Sequence, residues 1–438
     1  MIKYPHKIDL APFNKPEESL SESDVMYGLP RNICFCKKCV ESNQRPSTTI
    51  EFKNKPGSKK EVIAFNSDGI CSACLVAEEK KNINWEEREA ELKELCDRYR
   101  RNDGRYDCVV PGSGGKDSIF VAHELKYKYG MHPLTVTWAP NIYTTWGRKN
   151  HDNWIHSGQN NFLITPNGKV HRLLTRLALD VLFHPFQPFI LGQKSVGPRI
   201  AAAMDIPLVF YGEHEAEYGS DQSQTKTSTQ DKQFFSSNEN LDFRISGVSF
   251  KELTTEYGVD KSDLSLYLPL NEDITKNIAT HYFGYYSKWH PQAAYYYAVE
   301  HANFEASPER TAGTYSKYSS IDDKIDDLHY YTTGIKFGRG RATEDAAQEI
   351  RTGEINREEG VALVKKHDIE YPKRFEKDLF DYLSIYPKQF STASKNFENP
   401  IMDLQYFTTL SDKYRSPHIW TLKNGNWILR HAVWNMTI

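Results

Sequence analysis

The chain has 438 residues, which is enough for two or three domains. Its 55 lysine and arginine residues nearly balance 58 aspartate and glutamate residues, so no overall basic charge is present to attract nucleic acid. No apolar run approaches membrane-spanning length and the first residues lack a signal-peptide pattern, so we expect a cytoplasmic protein with no membrane partner.

Residues 31–80 carry a metal-binding pattern, after an irregular N-terminal arm expected over residues 1–30. Two cysteine pairs have CxxC spacing, and four such thiolates suit a closed tetrahedral Zn²⁺ site with a structural role. The predicted zinc ligands are Cys36, Cys39, Cys71 and Cys74. Cys34 precedes the first pair and is an alternative ligand, and the other interpretations are an iron–sulfur cluster and unpaired thiols.

A charged helix over residues 85–101 is predicted to lead into alternating strands and helices. The predicted strands are 107–111, 134–138, 162–165 and 208–211, and the predicted helices are 117–129, 170–182 and 196–204. This alternation is typical of an α/β domain with a parallel sheet, whose ligands bind beyond the carboxyl ends of the strands. We assign residues 81–248 to this domain, residues 249–390 to a mostly helical region and residues 391–438 to a C-terminal tail ending in a strand-like stretch.

The segment SGGKDS follows the first predicted strand and opens the next helix. Glycines let the backbone approach a phosphate, the start of a helix directs N–H groups at an anion, and a lysine adds positive charge. The predicted ATP-binding residues of this turn are Ser113, Gly114, Gly115, Lys116, Asp117 and Ser118.

This turn differs from the Walker A loop, which requires serine or threonine directly after its Gly-Lys pair. Asp117 occupies that position here. The segment instead resembles the PP-loop of the ATP pyrophosphatases, which cleave ATP between the α- and β-phosphates and activate an oxygen as its adenylate. An ordinary turn of small residues is the alternative interpretation.

Several segments together resemble one PP-loop family, the N-acetyl-sugar amidotransferases of the WbpG/PseA type. They are the two cysteine pairs, YDCVVPGSGGKDS, ITPNGKVHRLLTRLA, FYGEHEAEYG, GYYSKWHPQ and LVKKHD. The block GTYSKYSSIDDKIDDLHYYTTGIKFGRGRATEDAAQEIRTGEINREEG makes the resemblance specific. The likeness runs from about residue 33 to residue 385, and Cys34, the polar segments 50–62 and 220–245 and the tail beyond about residue 390 depart from it.

The resemblance implies an α/β protein in which a parallel-sheet PP-loop domain of the adenine nucleotide alpha-hydrolase-like kind joins a zinc module and a helical C-terminal region. It implies that ATP, with Mg²⁺, adenylates the amide oxygen of an N-acetyl sugar, after which ammonia displaces AMP and leaves an acetamidino sugar. Such reactions serve surface-polysaccharide and nonulosonic-acid biosynthesis. No glutaminase signature is visible. The resemblance therefore implies that ammonia comes from a separate glutaminase subunit with a cyclase-like channel subunit.

We assign residue roles on this basis. The predicted catalytic residues are Lys116, Asp117, Glu213 and Glu217, the two glutamates as Mg²⁺ ligands or as groups that handle ammonia protons. At two further strand ends, Thr137, Trp138 and Gly212 are predicted to contact ATP, with Trp138 against adenine. The predicted substrate-binding residues are His214, Lys336, Arg339 and Arg341. His214 lies near a predicted strand end. Glycines separate the other three and should place them on a loop, where arginine suits a carboxylate or phosphate group.

An acidic cluster has two interpretations. It contains Asp322, Asp323, Asp326 and Asp327. On a helix, this spacing makes either a solvated acidic face or a pair of faces that need a ligand, a metal or arginine partners, since like charges four residues apart repel. Pairing with this cluster is equally the alternative role of the three predicted substrate-binding cations in residues 336–341.

Two rival functions are consistent with a PP-loop. A tRNA-thiolating enzyme would use the same adenylated intermediate, but it would need a reactive thiol or a sulfur carrier and strong salt-dependent affinity for RNA. Four cysteines assigned to zinc leave only Cys34, Cys96 and Cys108, none of them in a CxxC pair. The other rival is a non-catalytic module that senses nucleotide while its zinc knuckles bind a partner.

Overall fold

The computed structural model describes residues 24–219, 227–238 and 242–436, so most of the predicted N-terminal arm and part of the polar segment 220–245 lie outside the described residues. The strands are β1 (Cys108–Pro111), β2 (Pro133–Trp138), β3 (Asn160–Ile164), β4 (Leu208–Tyr211), β5 (Arg244–Ile245), β6 (Val248–Ser249), β7 (Ala279–Tyr282), β8 (Trp420–Lys423) and β9 (Asn426–Leu429). The first helices are α1 (Ser72–Lys80), α2 (Trp85–Tyr99), α3 (Lys116–His123), α4 (Thr145–His156), α5 (Gly168–Leu182), α6 (Gln187–Ala203), α7 (Phe250–Thr255) and α8 (Lys261–Leu264). The later helices are α9 (Glu272–Thr275), α10 (Phe283–Tyr286), α11 (Pro291–Ala302), α12 (Lys324–Phe337), α13 (Arg341–Thr352), α14 (Arg357–His367), α15 (Glu376–Leu383) and α16 (Leu404–Tyr414).

A five-stranded sheet in the order β3-β2-β1-β4-β7 organises the fold. Every neighbouring pair in it is parallel, which confirms the predicted α/β class. The chain runs outward from β1 to β2 and β3, and then returns across the sheet to place β4 on the other side of β1. The connections therefore diverge at the carboxyl ends of β1 and β4, where open α/β sheets form their ligand crevice.

Two apolar cores cover the faces of this sheet. Alternate strand residues point to opposite faces, so the Val109 side chain enters one core while Cys108 and Val110 enter the other. The first core is completed by α5, α6, α12, α15 and α16, and the second by α2, α3 and α11. The buried positions of Cys96 and Cys108 in the second core agree with their expected packing role.

Three local features differ from the sequence prediction. The strand β7 lies inside the region expected to be mostly helical, and its four residues are too few to give a clear period-two pattern. The helix α6 begins at Gln187 rather than at residue 196, because Pro188 occupies the first turn, where a helix tolerates proline. The helix α3 ends at His123, and a π-helical turn over Glu124–Lys128 continues it.

The C-terminal tail forms a helix and a hairpin. The strand-like stretch predicted over residues 426–434 is a strand only in its first four residues, β9, which pairs antiparallel with the unpredicted β8. Within the part of the chain that the structure describes, no helix combines the length and apolar character needed to cross a membrane.

Candidate active-site cavity and metal cluster

The residues Ser113–Ser118, here called the phosphate turn, connect β1 to α3. Gly114 has a φ of +84°, and a Cβ there would lie 2.8 Å from the Cα of His151 and 2.9 Å from the carbonyl oxygen of Asn150. The turn therefore passes directly against the backbone of α4. At Gly115, an added Cβ would meet only the Ser113 Oγ, at 3.7 Å, so the backbone stays accessible to a ligand. The free N–H groups at the start of α3 lie beside this opening, as an anion site requires.

Replacing Gly114 with alanine should lower the free energy of unfolding by about 3 kcal/mol or more, because it combines a left-handed backbone with a collision against fixed backbone. Gly104→Ala is the matched control, since Gly104 has a φ of +80° and its added Cβ meets nothing within 4 Å. We expect the control to cost only about 1–2 kcal/mol. Urea denaturation of both variants measures the difference, and equal losses would contradict the close packing of the turn.

A cavity of about 670 Å³ opens at the carboxyl ends of β1 and β4. The phosphate turn forms one wall, and Gly212 and Glu213, which follow β4, form the next. A further wall, which contacts the phosphate turn through Asp322, comes from the segment before α12 and from α12 and α13. Lining residues in that wall are Ser316, Tyr318, Ser320, Asp322, Asp323, Asp326, Tyr330, Arg341, Glu344, Asp345 and Glu349.

Side-chain hydrogen bonds join the phosphate turn to its neighbours. The Lys116 Nζ lies 2.6 and 2.7 Å from the two carboxylate oxygens of Asp117, and the lysine side chain is 8% exposed. The Ser118 hydroxyl donates to the carbonyl oxygen of Gly115 at 3.0 Å, and the Ser113 hydroxyl hydrogen-bonds Asp322. A buried ammonium thus faces the cavity, and its ion-pair partner in the described part of the chain is a partly exposed carboxylate for which an incoming phosphate can substitute.

Glu213 faces the phosphate turn from the end of β4. Burial and the negative charge of Asp117 together raise the pKa of its carboxyl to about 7, while Lys116 acts in the opposite direction. The hydroxyl of Tyr218 donates to the Glu213 carboxylate. Glu213 therefore titrates near neutral pH beside the predicted phosphate site, which suits a group that exchanges protons during a reaction.

The acidic cluster is not a solvated face, because Asp323, Asp326 and Asp327 are buried and Asp322 is half-buried. Asp322, Asp323 and Asp326 line the cavity, whereas Asp327 lies 3.4 Å from Arg374 outside it. Asp323 caps α12 and accepts backbone hydrogen bonds from Ile325 and Ile142 at 3.0 and 3.1 Å. Burial raises its pKa to about 7, and burial together with the neighbouring carboxylates holds the pKa of Asp326 well above its usual range.

The prediction that Lys336, Arg339 and Arg341 lie on one loop is wrong. Helices α12 and α13 extend into this segment, so Lys336 is helical and Arg341 begins a helix. The Lys336 Nζ donates to the carbonyl oxygen of Leu182 at 2.8 Å, and Lys336 does not line the cavity. Arg339 is also outside the lining, because its guanidinium is bound to Glu41 at 2.9 and 3.1 Å.

Of the three cations, only Arg341 lines the cavity. Its Nε lies 2.9 Å from a carboxylate oxygen of Asp345, and its guanidinium donates to the Tyr330 hydroxyl. Arg341 is therefore paired with a carboxylate, and it also lines the space in which a substrate could bind.

Of the three residues predicted to contact ATP at the other strand ends, two line the cavity and one does not. Trp138 and Gly212 line the cavity, but Thr137 does not. The Thr137 hydroxyl is buried and accepts from the Asn161 side chain at 3.0 Å, because successive strand residues point to opposite faces. The Trp138 ring lies against Gly192, where an added Cβ would come within 2.1 Å of the indole.

His214 and Glu217 lie outside the cavity lining. The His214 Nδ1 accepts the backbone N–H of Ala216 at 3.1 Å, and its Nε2 is 2.8 Å from the carbonyl oxygen of Thr227. Glu217 pairs with Lys80 on α1. Both side chains stabilise the loop after β4, so we do not retain them as substrate-binding or catalytic candidates.

Sequence reasoning missed several lining residues. Tyr218 and Glu215 lie in the segment FYGEHEAEYG, which was singled out only for its other members, and Lys194 of α6 pairs with Glu215 at 3.0 Å. Arg45 comes from the metal-binding module, and no local pattern connects it to a site more than 60 residues away along the chain.

The four predicted zinc ligands form one buried group. The Sγ atoms of Cys36 and Cys74 are 3.9 Å apart, and those of Cys39 and Cys71 are 3.7 Å apart. Zn–S bonds of about 2.3 Å in a tetrahedron place the sulfurs about 3.8 Å apart, so the group fits Zn²⁺. Cys34, the alternative ligand, is exposed and lies outside this group.

The metal-binding module also supports the cavity. The Ser72 hydroxyl donates to the carbonyl oxygen of Gly219 at 3.0 Å, which ties the module to the loop after β4. On its other side, Arg357 of α14 donates to the carbonyl oxygens of Cys39 and Cys36 at 3.2 and 3.3 Å. The cysteine knuckles are thus connected to the loop after β4 and to α14, which packs against the cavity-lining α13.

Two comparisons relate parts of this chain to other proteins. Residues 312–433 match the family model described as "LPS biosynthesis protein WbpG-like, C-terminal domain". An uncharacterised protein of Methanocaldococcus jannaschii, MJ1599, is 34% identical over 77 residues, which is 18% of this chain and 27% of that protein. The chain thus matches about a quarter of the length of this curated relative. The family match includes the cavity-lining residues Asp322, Asp326 and Arg341.

Proposed function

We propose that this protein is an ATP-dependent amidotransferase that converts an N-acetyl sugar to an acetamidino sugar in surface-polysaccharide biosynthesis. One observation carries the proposal: a single cavity is lined both by the phosphate turn and by the region that matches the WbpG-like domain. The family match by itself supports a role in polysaccharide biosynthesis. The turn adds a place for ATP beside the residues of that domain.

The phosphates of ATP are proposed to bind at the phosphate turn, with Lys116 as the neutralising charge. Apolar side chains line the cavity nearby and offer a surface for adenine, namely Trp138, Phe186, Phe189 and Ile190. Mg²⁺ binds proteins through one or two carboxylates together with substrate phosphates, and Asp117 within the turn is the carboxylate proposed to hold it. When bound there, the ion would neutralise charge on the phosphates.

The wall formed by the segment before α12, by α12 and by α13, here called the sugar wall, suits a sugar. It presents carboxylates that accept hydrogen bonds from hydroxyl groups, together with the hydroxyls of Tyr318, Ser320 and Tyr330. Such a polar set matches a polyhydroxylated ligand better than an apolar one. The acetamido group of that ligand would then lie between the sugar wall and the phosphate turn.

The proposed reaction has two steps. First the amide oxygen attacks the α-phosphorus of ATP, the bond to the bridging oxygen of the β-phosphate breaks, and pyrophosphate leaves. Ammonia then attacks the activated carbon, the carbon–oxygen bond breaks, and AMP leaves with the former amide oxygen. Lys116 stabilises the charge that develops on the phosphates, and Glu213 in its carboxylate form would take a proton from the attacking nitrogen.

The thiolating alternative gains no support from the described cysteines, none of which lines the cavity. Cys96 and Cys108 are buried in the second core, and burial raises the pKa of Cys96 to about 12. A reactive thiolate is therefore disfavoured at both positions. Sulfur transfer would require a donor from outside this cavity.

The test is an assay of AMP and pyrophosphate release from MgATP with an ammonium salt and acetamido-uronate or nonulosonate sugars. We expect AMP only when sugar and ammonium are both present, and a product mass in which NH replaces oxygen. A glutaminase with its cyclase-like channel subunit and glutamine should replace the ammonium salt. Release of AMP only with tRNA and a sulfur donor would contradict the proposal.

A further inference from the structure

Arg45 belongs to the metal-binding module, yet it lines the candidate active-site cavity. Its side chain is 12% exposed. The backbone is fixed on both sides, since the Arg45 N–H donates to the carbonyl oxygen of Ser42 at 3.2 Å and its own carbonyl oxygen accepts from Ile63 at 2.9 Å. The fold of the module therefore sets the position of this arginine.

The guanidinium of Arg45 has unused hydrogen-bonding capacity. Its Nε lies 3.5 Å from a carboxylate oxygen of Glu41, but Arg339 already binds both oxygens of that carboxylate. The terminal amino groups of Arg45 donate to no acceptor among the described residues. These donors are not sealed from solvent and belong to a residue that lines the cavity, so they are accessible to an acceptor that a ligand supplies.

Tyr218 separates Arg45 from the phosphate turn. The guanidinium carbon lies 5.6 Å from the centroid of the Tyr218 ring, while the hydroxyl of that ring donates to Glu213 on the side of the turn. Helix α13 also lies near Arg45, since the charge of its Glu344 acts on the Arg45 guanidinium, and the same helix contributes Arg341 to the cavity. Two arginines from distant parts of the chain therefore line the same cavity.

We propose that Arg45 binds an acidic group of the acetamido substrate, so that the metal-binding module supplies part of the substrate site. This inference rests on the proposed function, because it assumes that the acetamido sugar binds in this cavity. The acidic group is a carboxylate of the sugar or the diphosphate of a nucleotide-linked sugar, and the planar guanidinium fits the oxygens of either group.

Calorimetric binding in the presence of Mg²⁺ and α,β-methylene-ATP tests the inference with three probes. They are N-acetylglucosamine, N-acetylglucosaminuronate and UDP-N-acetylglucosamine, which carry no acid, a carboxylate and a diphosphate. Arg45→Met should weaken the binding of the acidic probe that Arg45 contacts about 10- to 100-fold. Arg45→Lys should give an affinity between those of the wild type and Arg45→Met. Binding of the neutral probe and of the ATP analogue should not change. The relative losses of the two acidic probes identify which acid Arg45 contacts.

Lys55→Ala is the matched control, because it removes an exposed positive charge from the same module. One zinc per chain in every variant would show that the module is folded. An Arg45→Met variant that loses affinity for the ATP analogue instead of the acidic sugar would overturn the inference. So would wild-type protein that binds no acidic probe more tightly than the neutral one. Arg45-dependent binding of an acidic sugar without AMP formation would sink the proposed reaction and leave this inference standing.

Discussion

Lys116→Met should reduce kcat/KM for AMP formation about 100- to 1000-fold, while the protein stays folded. The ammonium of Lys116 lies at the start of α3, in the wall of the cavity, and its partner is the partly exposed Asp117. Stabilisation of phosphate charge is the main task in this kind of chemistry, so losing this charge removes transition-state stabilisation. Steady-state assays of AMP release measure the effect, and urea denaturation measures the stability of the variant.

The matched control for this prediction is Lys128→Met. Lys128 is 49% exposed and pairs with Glu89 and Glu124 away from the cavity. We expect it to retain wild-type activity. Full biological activity of the Lys116→Met variant would contradict a catalytic phosphate turn and would favour a module that only senses nucleotide.

Loss of the metal should have the largest effect on stability. We expect one zinc per chain and predict that Cys71→Ala abolishes zinc binding and destabilises the module by several kcal/mol, on the order of 5. The thiol of Cys71 is buried within the cysteine group, and the next residue, Ser72, donates to Gly219 in the loop beside the cavity. Metal analysis and hydrogen exchange over residues 36–74 measure the loss, and AMP formation should fall with it.

Cys34→Ala provides the control for the metal prediction. Cys34 lies in the same module, but it is exposed and outside the cysteine group. Its replacement should leave zinc content and hydrogen exchange unchanged. If Cys71→Ala kept its zinc, or if Cys34→Ala lost it, the ligand set would be wrong.

The phosphate turn and the cysteine group could be predicted because each depends on residues that are close together in the chain. The strand, the glycines and the helix start of the turn occupy one short segment, and its strand–turn–helix context follows from local patterns. The cysteine pairs are recognised by their CxxC spacing, although only the structure places Cys34 outside the group.

The partners of charged residues could not be predicted, because they come from distant parts of the chain. Arg339 binds Glu41 across 298 positions, and nothing near either residue indicates the other. The same reason hid the contribution of Arg45 to the cavity. The strand β7 was missed for a different reason, since four residues carry too little pattern to compete with the surrounding helical sequence.

The pattern of aspartates before and within α12 showed a cluster but not its environment. A solvated acidic face and a buried site have the same spacing, and tertiary packing decides between them. Asp323 is buried because it caps α12 and accepts N–H groups from the segment after β2.

The most direct measurement follows an oxygen-18 label placed in the acetamido carbonyl of a sugar that supports AMP release. We predict that the label appears in the phosphate of AMP, and that the acetamidino product and pyrophosphate contain none. Label that stays in the sugar while ATP is consumed would contradict adenylation of the amide oxygen, which is the central claim for this cavity.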